Sequence, residues 1–110
     1  MEDLDGRRFR AVVNEAGEVD GATVFEYSQD GDLVHARYSG GAIRLGFLVG
    51  TRSGDSLDFR YAHVNVEGET ATGHCVSVLS VLDDGRLRLH ETWEWDSRSG
   101  SGTSVVEEIR

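Results

Sequence analysis

The stretch CVSVLSVLDDGRLRLHETWEW, residues 75–95, decides the fold. Two runs of alternating apolar and polar residues flank Asp83-Asp84-Gly85, which suits a three-residue hairpin loop ending in a left-handed glycine. Pairing outward from that loop sets Ser77 opposite Glu91, Cys75 opposite Trp93 and Gly73 opposite Trp95. In the second run Leu87, Leu89, Glu91, Trp93 and Trp95 share one face; Arg86, Arg88, His90, Thr92 and Glu94 share the other. The first face is the one to bury, yet a carboxylate sits in the middle of it.

The same alternation extends over the chain. No proline occurs, and fourteen glycines mark the turns. Turn signals at Glu15–Gly21, Asp30-Gly31, Ser39-Gly40-Gly41, Ser53-Gly54-Asp55, Glu67-Gly68, Asp83-Asp84-Gly85 and Ser97–Gly102 leave strand-like segments at 7–13, 22–29, 32–39, 42–50, 56–65, 69–82, 86–96 and 102–109. None carries a helical stripe, and the connections are too short for crossover helices, so neighbours pair antiparallel in sequence. A flat eight-stranded meander leaves two long edges exposed, and closure removes them. The expected fold is all-β, one domain over 1–110, a closed eight-stranded up-and-down barrel.

Two further turns predict register. Val66-Glu67-Gly68, read as a three-residue loop, sets Tyr61 opposite Gly73 and Phe59 opposite Cys75. Asp30-Gly31, read as the central pair of a type I′ turn, sets Tyr27 opposite Val34, Phe25 opposite Ala36 and Thr23 opposite Tyr38. The resulting inward face includes Phe9, Ala11, Thr23, Phe25, Tyr27, Val34, Ala36, Tyr38, Leu48, Leu57, Phe59, Tyr61, His63, Gly73, Cys75 and Ser77, with the Leu87–Trp95 set. Gly73 falls between Tyr61 and Trp95, where the lack of a side chain leaves room for both rings.

That interior is polar for a filled barrel, with three tyrosines, a histidine, a serine and a glutamate. Each buried polar group left without a partner costs about 1–3 kcal/mol. Either these groups satisfy one another, or they line a cavity whose ligand completes them. The reading adopted is the cavity, with Tyr38, Tyr61, His63, Ser77, Glu91, Trp93 and Trp95 as candidate ligand-binding residues.

Sharper chemistry is poorly supported. His63, Cys75 and Glu91 could be imagined around zinc, but His35, His63, His74 and His90 show no paired ligand spacing, so no metal is expected. Phe59, not His63, faces Cys75, which argues for a structural cysteine rather than a nucleophile. Glu91 is the one candidate general acid or base, because burial raises a carboxyl pKa. RSGSGT, 98–103, precedes a strand rather than a helix and so lacks the setting of a phosphate cradle. No cofactor is expected.

Eleven basic and twenty acidic residues give a net charge of −9, which disfavours nucleic acid and anionic membrane as partners. No apolar run approaches the length of a membrane-spanning helix. The opening MEDLDGRRFR has no signal-like apolar core, and one cysteine permits no intrachain disulfide, so a cytoplasmic location is expected. Val24, Phe47, Val49, Val76 and Val78 read as apolar and outward, which makes a homo-oligomer an expected partner.

The strings YSGG (38–41), GFLVG (46–50), RYAHVN (60–65), TGHC (72–75), LHETWEW (89–95) and SGTSVVEEI (101–109) resemble a family of small bacterial proteins with an avidin-like domain, often labelled N-acetylglutamate synthase. The likeness covers nearly the whole chain. It implies a ligand-holding barrel of the calycin kind and, by the label, acetyl transfer to glutamate. That transfer in the usual acetyltransferase fold uses a glycine-rich pyrophosphate loop opening a helix, and the sequence offers neither. Biotin-contacting residues do not carry over one by one, so biotin is not predicted. Three functions therefore stand at this point: a small-molecule-binding barrel, an enzyme using Glu91, and a structural homo-oligomeric module.

Overall fold

In the computed structural model, which describes residues 2–14 and 17–110, eight strands follow one another around a closed barrel, each hydrogen-bonded to its sequence neighbours and β1 to β8. They are β1 Arg8–Asn14, β2 Val24–Asp30, β3 Leu33–Gly40, β4 Ile43–Ser53, β5 Ser56–Asn65, β6 Thr70–Val81, β7 Leu87–Trp95 and β8 Ser101–Glu108. All pairings are antiparallel, so the described residues form an up-and-down meander without helices. Residues 15 and 16 of the expected Glu15–Gly21 turn lie outside the described residues.

The two three-residue loops set register as expected. Gly68, at φ 84°, ends the loop that places Tyr61 opposite Gly73 and Phe59 opposite Cys75. Gly85, at φ 90°, ends the loop that places Trp95, Trp93 and Glu91 opposite Gly73, Cys75 and Ser77. An added Cβ at Gly73 would stand 2.2 Å from the Tyr61 hydroxyl and 2.4 Å from the Glu94 carbonyl oxygen, so the position accepts no side chain without movement.

The β2–β3 register differs from expectation by two residues. Tyr27 faces Ala36, Phe25 faces Tyr38 and Gln29 faces Val34; Thr23 precedes the β2 strand. The turn's central residues are Gly31 and Asp32, not Asp30 and Gly31, because the glycine takes the first central position at φ 60°. Gly54 leads the β4–β5 turn in the same way, between paired Ser53 and Ser56. This register also brings Phe25 onto Tyr38 as a stacked pair with centroids 4.8 Å apart. An even slip leaves each side chain on its expected face. Thr23, Phe25, Tyr27, Val34, Ala36 and Tyr38 are all buried.

The two ends of the barrel differ. One end is filled: Leu4, Phe9, Leu57, Leu87 and Leu89 are fully buried. Residues 2–7 close it, with the Leu4 amide donating to Gln29 Oε1 and the Arg52 guanidinium bonding Gln29, Gly54 and the Glu2 carbonyl. The other end carries the β1–β2, β3–β4, β5–β6 and β7–β8 connections and contains the cavity.

Candidate functional site

Apolar packing stops at Leu89, and the next inward residue of β7 is Glu91. Its neighbours in register are Ser77 of β6 and Ser104 of β8. Ser77 donates to one carboxylate oxygen at 3.1 Å and Ser104 to the other at 3.0 Å. Two short hydroxyl side chains thus hold the carboxylate from both sides and leave it facing the cavity. Burial pushes the Glu91 carboxyl up to about 7, against the lowering effect of the hydrogen bonds from Ser104 and Ser77. Among the described residues, no cation contributes to its environment.

Above Glu91 the walls are aromatic. Trp93 and Trp95 meet at 61° with centroids 5.2 Å apart, and Tyr61 meets Trp95 edge-on at 5.9 Å. Phe25, Phe59 and Tyr38, with Val19, Leu48 and Cys75, complete the apolar lining. The cavity they enclose is open at the mouth and offers about 50 Å³ to the centre of a water-sized sphere.

A chain of hydrogen bonds runs across the mouth. Tyr38 Oη lies 3.0 Å from His63 Nδ1, and His63 Nε2 lies 2.9 Å from Glu18 Oε1. An ionised Glu18 can only accept, so His63 Nε2 donates to it. Asn65 Nδ2 donates to Glu18 Oε2 at 2.9 Å and Arg98 Nη2 to Glu18 Oε1 at 2.9 Å. Burial raises the Glu18 carboxyl, but these hydrogen bonds and the charges of His63 and Arg98 outweigh it and hold the group below its ordinary range. The Arg98 guanidinium also lies over the Trp95 ring, 4.4 Å from its centroid. One carboxylate from the β1–β2 connection therefore ties the barrel wall to the β7–β8 loop.

Of the residues expected from the sequence, Tyr38, Tyr61, His63, Glu91, Trp93 and Trp95 line the cavity together. Ser77 does not line it, and acts by holding Glu91. Ser104, Glu18, Asn14 and Arg98 were not foreseen. Ser104 could have been found in SGTS, 101–104, where Gly102, Ser104 and Val106 alternate on one face. Glu18 and Arg98 lie in connections, where no strand period applies. A carboxyl titrating near neutrality can exchange a proton, but its neighbour Cys75 is no ready nucleophile, since burial pushes that thiol far up and keeps it protonated.

Comparison with known proteins agrees with this architecture. No curated protein and no solved structure matches the chain. A family model described as avidin-like protein matches residues 2–109, nearly the full length. The closed eight-stranded meander and this match have one conclusion: the chain belongs to the avidin-like protein family.

Proposed function

We propose that the protein binds a small molecule in the cavity at the open end of its barrel, against Tyr38, Tyr61, His63, Glu91, Trp93 and Trp95. The observation that carries this reading is Glu91, a carboxylate turned into an aromatic-lined cavity with hydroxyl partners but no countercharge. Burying a carboxylate in this way costs stability. A pocket residue that meets a ligand explains it better than a core residue, for which Leu would pack more favourably.

Thermal denaturation against a panel of small metabolites tests the proposal. A ligand specific for the native state, present at 100 times its Kd, adds about 2.7 kcal/mol and raises Tm by roughly 10 °C. The shift must be lost in Trp93→Ala. A panel-wide absence of shifts, or shifts that persist in Trp93→Ala, would count against the cavity as the site.

We propose in addition that the protein self-associates through the outer face of its β4 strand. Phe47 and Val49 lie on one face of β4, each more than half exposed, which is unusual for adjacent large apolar residues on a lone barrel. Sedimentation velocity of the native chain and of Phe47→Glu distinguishes the cases: an oligomer that the substitution dissociates supports the face, and a monomeric native chain refutes it.

A further inference from the structure

Apart from the indole N–H groups of Trp93 and Trp95, hydrogen-bonding capacity left over in the cavity is acceptor in kind. The Tyr61 hydroxyl points to the Glu94 carbonyl oxygen at 3.3 Å, and the Tyr38 hydroxyl is engaged by His63. Ser77 and Ser104 direct their protons at Glu91. The acceptors left over are the free lone pairs of the Glu91 carboxylate and, among the described residues, Asn14 Oδ1, which is buried with no donor. Asn14 lines the cavity and commits its amide nitrogen to the Val19 carbonyl at 2.7 Å. A molecule that satisfies Glu91 and Asn14 must therefore donate.

Charge narrows the choice further. The titratable groups that sense Glu91 are Tyr27 from β2, Tyr38 from β3, Tyr61 from β5 and Cys75 from β6, and none is cationic. At the mouth, His63 and Arg98 are both bonded to Glu18, and Arg52 lies with Gln29 at the filled end. Glu91 is thus an anion without a cation, below rings whose negative faces attract positive charge. We infer that the ligand is a small organic cation, a primary ammonium or guanidinium on a short chain, whose N–H groups donate to Glu91 and whose stem leaves through the open mouth of the cavity. The inference rests on the cavity being a binding site, as proposed above.

A proton count tests it. Calorimetric titration of the intact protein at pH 7, in two buffers of different ionisation enthalpy, compares n-butylamine and agmatine with 1-butanol and butyrate. A cation favours ionised Glu91, so binding releases about half a proton when that group is half-protonated; an anion would take protons up. The cations should bind, about tenfold more tightly at pH 8 than at pH 6. Glu91→Gln should weaken them at least tenfold and abolish the pH dependence. Ser104→Ala keeps the carboxylate and should move the same dependence to higher pH, which separates the role of Glu91 from a failure of Glu91→Gln to fold. Failure of both cations to bind, or binding with proton uptake, overturns the inference. If 1-butanol, butyrate or a neutral metabolite from the thermal panel then binds in a Trp93-dependent way, the cavity remains a site and only the cation is wrong.

Discussion

Replacing Glu91 by glutamine should make the protein more stable at alkaline pH while changing little at acid pH. Glu91 starts from an ordinary value of 4.5 and is raised to about 7 in the fold, with burial as the first cause. The folded state therefore holds the proton more tightly than the unfolded chain. The favourable contribution is fully present below about pH 4.5, falls as pH rises toward 7, and is gone above it. At about 1.4 kcal/mol per pH unit, the interval corresponds to roughly 3 kcal/mol, reduced to about 2 kcal/mol by water entering the cavity. Glutamine is neutral throughout and can still bond both serine hydroxyls, since a hydroxyl donates or accepts. Urea denaturation of both proteins at pH 4.5, 6 and 8, followed by fluorescence of Trp93 and Trp95, reads the difference. The stability of Glu91→Gln relative to native should rise by about 2 kcal/mol from pH 4.5 to 8. Glu18 and Asp84 cancel in this comparison, and both are lowered, so their own losses fall at more acid pH. Parallel pH profiles for the two proteins would refute the claim that Glu91 is held half-buried without a countercharge.

Gly73→Ala should cost about 2 kcal/mol and lower Tm by roughly 10 °C in a thermal melt, because the new methyl meets both the Tyr61 hydroxyl and the Glu94 backbone. Ser104→Ala removes one of the two hydrogen bonds that hold the Glu91 carboxyl down, so its titration, followed by carboxyl-carbon NMR, should move above about 7. Glu18→Gln should release Arg98 from the mouth, and acrylamide should then quench Trp95 more strongly than in the native chain. Unchanged quenching would show that Arg98 is held by the ring alone.

The fold was legible because its turns speak in short-range rules. Asp83-Asp84-Gly85 and Val66-Glu67-Gly68 each leave one way to close a three-residue loop, and register along β5, β6 and β7 follows to the residue. At Asp30-Gly31-Asp32 two two-residue turns are open to the chain. The choice between them rests on stacking Phe25 against Tyr38, a contact 13 residues apart that no local rule contains. The aromatic wall and Glu91 were legible for the same reason as the strands, through alternation along LRLHETWEW. Ser104 depends on a five-residue β7–β8 connection with no simple turn type, and on the strand that closes the barrel. Glu18 is further still from sequence logic: 80 residues separate it from Arg98, and only the closed barrel sets the two side by side.

The most direct test is a crystal structure of the protein grown at pH 8 with the tightest ligand from the thermal panel. The account predicts density between Trp93, Trp95 and Tyr61, with a donor atom about 2.7–3.2 Å from the Glu91 carboxylate. A ligand bound elsewhere, or a cavity closed by its own side chains with Glu91 bonded to them alone, would contradict it.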